Sequence, residues 1–245
     1  MSLKYALITL LCLCFGCFLI ACAHKADDFT AKKSQNPVIN HKYSPEEGDY
    51  FGKVLEELNR IGVKPEHHHF QNFPVKYWIG PMEEDNRSIV KAAIEEYSYF
   101  FPMKEVKNKE DASLIIELTD FNTLKEKYPD TPDEGLSGVG GVDTMEVSGY
   151  PFNIKRKTNS IVLLLPHAFE QPVISQAIIM HEIGHAFGIA AHSDDPYDIM
   201  YDKTITVYNE KTGEITVNNI PQTVKEANTL SVRDLNTIWL LYNHW

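Results

Sequence analysis

The chain contains 245 residues, of which 43% are hydrophobic and 23% are charged, and its formal net charge is −11. This length is sufficient for one compact domain with a substantial core, and we expect a monomer. The acidic balance argues against nucleic acid as a partner, because the phosphate backbone selects basic surfaces. It weakly favours basic or neutral substrates.

Residues 1–21 have the features of a targeting segment that is removed from the folded protein. Lys4 supplies a short positive region, and the apolar stretch from Tyr5 to Ile20 is too short to be interpreted first as a membrane-spanning helix. The run Leu19-Ile20-Ala21-Cys22 resembles the bacterial lipobox, in which cleavage precedes a cysteine that then carries lipid. We therefore expect a lipid anchor at Cys22 on the cell envelope, on the outer membrane if the host is Gram-negative. An uncleaved anchor and an ordinary secretory signal are the alternatives.

The use of cysteine agrees with that interpretation. Cys12, Cys14 and Cys17 would leave with the signal, and Cys22 would carry the lipid. The mature chain then has no disulfide, and it has no thiol to bind a metal. Residues 22–43 are polar with few large apolar side chains, which predicts a flexible tether between the lipid and a domain at residues 44–245.

The first predicted helix begins at Ser44-Pro45-Glu46-Glu47, which matches a capping box with proline at the first helical position. Its apolar face continues to Ile61, and Gly62 would end it. Strands and helices then alternate, which predicts a sheet backed by helices. These elements are a strand at Val75–Ile79, a helix at Arg87–Phe101, and strands at Leu114–Leu118 and Ser160–Leu165.

The stretch from Asp120 to Thr158 is long and rich in glycine, and we interpret it as a loop. Calcium held there by Asp143 and backbone carbonyls is a weaker expectation than a solvated loop. His67-His68-His69 also lies in a predicted loop, where adjacent histidines do not share one face, so we do not favour a metal there. Further along, Thr204–Val207 and Glu214–Val217 predict a hairpin.

One stretch carries the features of a metal-dependent active site. His181 and His185 are four residues apart, so on a helix their imidazoles lie on one face, one turn apart. Glu182 follows the first histidine and can project toward a metal-bound water. Gly188 suits a left-handed residue that ends the helix and turns the chain back, which brings His192 toward the same point. Three neutral imidazoles leave one tetrahedral position open, as in catalytic zinc sites.

The alternative for any histidine is ordinary packing or surface exposure. Here the pair lies in an apolar run from Val173 to Phe187, where histidines and a glutamate buried together are costly without a partner. A metal ion supplies that partner. We therefore predict a zinc site with His181, His185 and His192 as ligands.

The stretch Met180–Tyr201, MHEIGHAFGIAAHSDDPYDIMY, resembles the metzincin clan of zinc endopeptidases, whose signature H-E-x-x-H-x-x-G-x-x-H precedes a Met-turn. Within that clan it is most similar to the matrixin group, because a serine, an Asp-Pro pair and Met200-Tyr201 follow the third histidine. The resemblance implies that the three histidines bind zinc, that Glu182 is the general base and that Met200 lies beneath the metal. One position departs from the pattern, because Ala191 occupies the usual place of the third histidine. Either the return loop is longer by one residue or the site is incomplete.

The resemblance also implies the fold, an α/β (α+β) metzincin-like catalytic domain. Its features would be a twisted mixed sheet with an antiparallel edge strand, backing helices, an active-site helix and a C-terminal helix beginning near Leu230. Ser160–Leu165 would be the edge strand above the zinc, where an extended peptide adds to the sheet. Asp234 would brace the Met-turn, although capping of the last helix explains it equally. The helix before Val75 would be an addition to the family's catalytic domain.

We therefore expect a lipid-anchored zinc endopeptidase that hydrolyses protein or peptide substrates with a zinc-bound water and Glu182 as general base. Two alternatives stay open. A metal-bearing binding module, or a catalytically weak protease, would present the cleft without turnover. A zinc amidase would act on cell-wall peptides. Substitution of Glu182 tests the first alternative, and identification of the substrate tests the second.

Overall fold

A five-stranded mixed sheet forms the centre of the protein in a computed structural model, which describes residues 39–129, 136–148, 155–201, 206–209, 211–217 and 220–244. Its strands are β1 (Val75–Ile79), β2 (Met103–Glu105), β3 (Leu114–Leu118), β4 (Gly138–Ser148) and β5 (Lys155–Leu164). In the order β2-β1-β3-β5-β4, neighbouring strands are parallel except β4, which pairs with β5 in the antiparallel sense. The predicted α/β class with an antiparallel edge strand is confirmed.

Strands β1 and β3 have the bounds that their sequences predict. Both are short runs of β-branched, aliphatic and aromatic residues, and β1 is followed directly by Gly80-Pro81, which ends it. Leu114 and Ile116 of β3 are fully buried, as expected for a strand with neighbours on both sides. The residue types that favour a strand here also suit a buried position in the sheet, so the predicted bounds of β1 and β3 are correct.

The described residues include six α-helices, of which α2 differs from its predicted range. The helices are α1 (Phe51–Arg60), α2 (Glu84–Ser98), α3 (Phe121–Lys127), α4 (Pro172–Ala186), α5 (Val224–Ala227) and α6 (Val232–Asn243). Helix α2 begins at Glu84 rather than at Arg87, since acidic side chains in the first turn interact favourably with the helix dipole. It ends before Phe101 because Pro102 disfavours helical geometry in the residue that precedes it.

The helix predicted to begin at Ser44 is wrong at its start. Pro45–Glu47 form one 3-10 turn, and the Ser44 side chain makes no capping hydrogen bond. Gly48 has a φ of 76°, a left-handed conformation that redirects the chain before α1 begins at Phe51. The capping pattern therefore marks a separate turn.

Packing against the domain begins before residue 44. Ile39 is 6% exposed, and the backbone N–H of Asn40 donates to the carbonyl of Phe100 at 3.2 Å. The last residues of the predicted tether, 39–43, are thus in contact with the domain. The remainder of that tether and the predicted signal at 1–21 lie outside the described residues.

The interpretation of Asp120–Thr158 as a loop is wrong. The range contains α3, the whole of β4 and the start of β5, and residues 130–135 and 149–154 lie outside the described part. The prediction of Ser160–Leu165 as the edge strand is also wrong, because β5 lies between β3 and β4. The glycines of β4 give its sequence the appearance of a loop. Glycine also occurs in a strand where another backbone passes close to it.

The C-terminal part forms a three-stranded antiparallel sheet and the last helix. Strands β6 (Thr206–Asn209), β7 (Glu214–Val217) and β8 (Ile220–Gln222) pair in sequence order. The predicted hairpin is confirmed for β6 and β7, although residues 202–205 lie outside the described part. Helix α6 begins with a capping box between Ser231 and Asp234, as predicted.

The main core lies between the sheet and helices α2, α4 and α6, with buried residues from all of them. The hydroxyl of Tyr97 in α2 donates to the carbonyl of Met180 at 2.8 Å, which ties α2 to α4. Over the residues that the structure describes, no helix combines the length and apolarity needed to cross a membrane.

Candidate metal centre

Helix α4 and the chain that follows it bring three histidines together. The ring centroids of His181 and His185 lie 4.9 Å apart, and the centroid of His192 lies 5.1 Å from the first and 4.9 Å from the second. One ring nitrogen from each histidine lies within 4.8 Å of the others. The return loop thus places His192, and not Ala191, at the common point. This is the arrangement expected of a loop lengthened by one residue.

The end of α4 shows how the sequence produces that return. Gly188 has a φ of 105°, and its N–H donates to His185 at 3.0 Å while the N–H of Ile189 donates to Gly184 at 3.1 Å. These two bonds form a Schellman motif, which ends a helix at a left-handed residue. A Cβ at Gly188 would lie 2.0 Å from the carbonyl oxygen of His68, so the close approach also requires glycine. The predicted role of Gly188 in turning the chain is confirmed.

Two of the imidazoles are oriented by backbone carbonyls. The Nδ1–H of His181 donates to Ile199 at 2.8 Å, and that of His185 donates to Ile189 at 2.6 Å. Such bonds fix the tautomer, so that each Nε2 carries a lone pair and can bind a metal. The carbonyl of Ile189 belongs to the motif that ends α4, so one short segment both turns the chain and orients a ligand.

The electrostatic surroundings of His185 favour a neutral imidazole. Burial, together with the neighbouring His181, lowers the pKa of His185 to about 4. A neutral ring is the form that binds metal ions.

The arrangement fits a single zinc ion. Nitrogens about 2.0–2.1 Å from a tetrahedral zinc are separated from each other by about 3.3 Å. The Nε2 atoms of His185 and His192 are 3.2 Å apart, close to that separation. Two imidazole nitrogens facing each other at this distance share no more than one proton between them, and a cation satisfies both. The three residues predicted as ligands are therefore compatible with one zinc ion.

Glu182 lies on the wall of the same cleft, beneath the edge strand. A Cβ at Gly140 of β4 would lie 1.9 Å from the carbonyl oxygen of Glu182, so only glycine permits the strand to pass this close to α4. Burial raises the pKa of the Glu182 carboxyl, whereas His185 and a hydrogen bond from the Gly140 backbone oppose that shift. The glycine-rich sequence that resembled a loop is thus the strand that covers the glutamate.

Met200 packs against the helix that carries His181 and His185. Its side chain is fully buried with its sulfur against Gly184 of α4, and its carbonyl accepts from the N–H of Ser193 at 2.7 Å. The Ser193 hydroxyl donates to Asp198, which also accepts from Ser231 at 2.6 Å. These bonds close the loop that follows His192.

Asp234 connects this loop to α6. Its Oδ2 accepts from the N–H groups of Ile199 at 2.9 Å and Ser231 at 3.0 Å, so it both holds the residue before Met200 and caps the helix. Burial and the nearby Asp198 raise its pKa to about 6. Its Oδ1 accepts from the hydroxyl of Tyr50 at 2.7 Å. Neither Tyr50 nor Asp198 is identifiable from the sequence, because the partners of each become its neighbours only in the folded chain.

An open cleft of about 1000 Å³ surrounds the site. Its walls include Leu136–Val142 and Pro196–Ile199. Apolar side chains of α4 and β7, together with Ile61 and His68, also line it. The three histidines and Glu182 all face this space, so a ligand in the cleft reaches them.

Asp143 and His167, outside this site, have different surroundings. Asp143 pairs with Lys127 at 3.0 Å, and over the described residues the three histidines are the one group of three or more potential ligands that is close enough to hold a metal. The structure therefore gives no support to calcium. His167 is exposed, with its Nε2 2.6 Å from the carbonyl of Leu136.

Comparisons with known proteins add little to this description. No protein-family model matches the chain, and no curated protein matches it. Among solved structures, one described as "Structure of myroilysin" matches with 13% identity and a TM-score of 0.38, over 69% of this chain and 92% of that chain. At that TM-score the likeness decides nothing about function.

Proposed function

We propose that this protein is a zinc-dependent endopeptidase of the metzincin type, similar to the matrixins. The observation that supports it most directly is the convergence of three imidazole nitrogens within 4.8 Å, beside a glutamate and facing an open cleft. His181, His185 and His192 would hold the ion. When bound, zinc supplies a Lewis acid and lowers the pKa of a coordinated water toward neutrality.

Glu182 is the general base in this proposal. Its side chain extends below β4, where a Cβ at Gly138 would lie 3.3 Å from its Cγ, and its carboxylate faces the cleft beside the histidines. A carboxylate at that place takes a proton from the attacking water and returns it to the leaving amine. It follows His181 directly in α4, so packing of the helix fixes its position.

The edge strand supports a peptide as the substrate. One side of β4 pairs with β5, and the residues Leu136–Val142 line the cleft. An unpaired strand edge binds an extended chain through main-chain hydrogen bonds. In this proposal the peptide adds to β4 and presents a scissile amide above the histidines.

Anchoring to the cell envelope by lipid at Cys22 is a second part of the proposal, and it is supported by the sequence Leu19-Ile20-Ala21-Cys22 alone. Growth of the producing cell with a labelled fatty acid tests it. Label should enter the wild-type chain and be absent from a Cys22→Ala variant. Equal labelling of both chains would contradict lipidation at this residue.

Zinc content and peptide cleavage test the enzymatic proposal together. The purified protein should contain one zinc ion and cleave members of a mixed peptide library, and a zinc chelator should stop the cleavage. Glu182→Ala should reduce the rate by about 10²–10⁴-fold, the usual contribution of a general base, while zinc content is unchanged. Zinc binding without any cleavage would favour the binding module. Cleavage of cell-wall peptides alone would favour the amidase.

A further inference from the structure

The segment before the sheet is bound to the C-terminal helix by buried polar contacts. Asn236 of α6 is fully buried, and its amide donates to the carbonyls of Ser44 and Gly48 at 2.7 Å each. Its Oδ1 accepts from the N–H of Ser44 at 3.1 Å. A side chain that satisfies so many groups of one segment fixes its path. The segment is therefore an integral part of the domain.

This path places Tyr50 against the centre of α6. Tyr43 stacks on Trp239 with ring centroids 5.2 Å apart. The N–H of Tyr50 donates to the hydroxyl of Thr237 at 3.0 Å, and Tyr50 itself is 3% exposed. Its hydroxyl is thus buried at a defined position, beside the carboxylate of Asp234.

From Tyr50 a continuous series of hydrogen bonds leads to a histidine of the metal centre. The Tyr50 hydroxyl donates to Oδ1 of Asp234 at 2.7 Å, and Oδ2 accepts from the N–H of Ile199 at 2.9 Å. The carbonyl of the same residue, Ile199, accepts from Nδ1 of His181 at 2.8 Å. The first two bonds are buried, where such bonds are strong and loss of one partner is costly, and the third is partly buried.

We infer that Tyr50 is a positioning residue of the metal centre, which orients His181 through Asp234 and the backbone of Ile199. This inference rests on the proposed zinc site. Two backbone N–H groups hold one carboxylate oxygen of Asp234, and the Tyr50 hydroxyl holds the other. Without the hydroxyl, the carboxylate turns to satisfy its buried Oδ1, and the peptide of Ile199 that it holds moves with it. The imidazole bonded to that peptide then loses its orientation.

The electrostatics are consistent with the direction of these bonds. Burial raises the pKa of the Tyr50 hydroxyl well above its usual value, and the charge of Asp234 raises it further. The hydroxyl therefore keeps its proton and donates it to the carboxylate. Burial also raises the pKa of Asp234, and the bond from Tyr50 opposes that shift.

A structural role alone is the alternative, and Tyr242 provides a matched control. Its side chain is 1% exposed, and its hydroxyl donates to the carbonyl of Phe187 at 3.0 Å and accepts from the N–H of Phe70 at 3.3 Å. Tyr242→Phe thus removes a buried hydroxyl of similar environment outside the series. Both Tyr50→Phe and Tyr242→Phe should lower the melting temperature of the metal-free protein.

Metal affinity separates the two roles. The dissociation constant for Zn²⁺ is measured by competition with a chromogenic chelator, and the visible absorption of the Co²⁺-substituted protein reports ligand geometry. Tyr50→Phe should weaken Zn²⁺ binding about tenfold, within the range of outer-shell substitutions, and should alter the Co²⁺ spectrum. Tyr242→Phe should bind both ions as the wild type does. Equal affinity and spectra in the two variants would overturn the inference.

Two further results keep the inference separate from the proposed function. If Tyr50→Phe does not unfold cooperatively, Thr237→Val, which removes the acceptor for the Tyr50 backbone, replaces it and should weaken Zn²⁺ binding in the same direction. A wild-type protein that binds Zn²⁺ but cleaves no peptide contradicts the proposed function only, since affinity still tests Tyr50. A wild-type protein that binds no Zn²⁺ overturns both.

Discussion

The protein contains two groups of three histidines, and only their positions in the chain distinguish them. His67, His68 and His69 are consecutive, whereas His181, His185 and His192 are separated by a helical turn and a loop. In the consecutive group, Nδ1 of His69 lies 3.1 Å from the carbonyl of Pro65, and its ring packs at 4.7 Å against Tyr242. In the separated group the rings face a common point.

The difference shows that spacing and backbone geometry, more than composition, create a metal centre. Of the consecutive histidines only His67 belongs to a 3-10 turn, Pro65–His67, so no helical repeat aligns the three rings. Residues four apart on an α-helix point the same way. The consecutive group also contacts the chain between His185 and His192. A Cβ at Gly188 would lie only 2.0 Å from the carbonyl oxygen of His68. The consecutive group therefore supports the loop that carries His192.

The largest difference should appear in zinc affinity. His192→Ala should weaken Zn²⁺ binding by more than about 100-fold, because loss of an outer-shell partner alone costs about 10–100-fold. His67→Ala, the matched change in the other group, should leave affinity unchanged. Competition with a chelator measures both. An unchanged affinity in His192→Ala would mean that the third histidine does not bind the ion.

The contact between the two groups gives the next largest effect. Gly188→Ala forces a side chain into a φ of 105° and toward the carbonyl of His68. Strain and overlap should lower the free energy of unfolding by about 3 kcal/mol, which denaturant titration measures. Gly141→Ala is the control, because a Cβ there meets nothing within 4 Å. Equal stabilities of the two variants would contradict the proposed support.

Features of the fold and the site are predictable from the sequence where adjacent residues determine them. The i, i+4 pair, the left-handed Gly188 and the strand Val75–Ile79 each follow from a few adjacent residues, and the structure agrees with them. Strand β4 is not predicted, because its glycines are required by the close approach of α4, which is distant in sequence. A local rule treats such glycines as signs of a turn.

The same limit applied to the polar support of the site. Asp234 was recognisable as a cap from the residues beside it, whereas its bond to Tyr50 joins positions far apart in the chain. The Ser44 pattern failed for the opposite reason. Its local signal for a helix was complete, but the left-handed Gly48 and the bonds to Asn236 held the segment in another path. Tertiary contacts therefore decided both outcomes.

The smallest expected effect concerns pH and the buried member of the consecutive group. Burial lowers the pKa of His69 to about 4 in the folded protein, against about 6.5 when unfolded. Between these pH values the unfolded state binds more protons than the folded state. The contribution of His69 to the free energy of unfolding is therefore complete above about pH 6.5 and is lost as the pH falls toward 4. His69 should account for a loss on the order of 2 kcal/mol between about pH 7 and 4.5.

Substitution of His69 separates its contribution from that of the other histidines. His69→Asn keeps an N–H near the carbonyl of Pro65 but cannot become charged, so denaturant titrations of the metal-free protein should show a shallower fall in stability below pH 6.5. His167→Asn, at an exposed position, is the control for the same histidine-to-asparagine change. An unchanged slope in His69→Asn would show that His69 gains its proton without unfolding. The contact of the consecutive group with Gly188 would then involve only the backbone of His68.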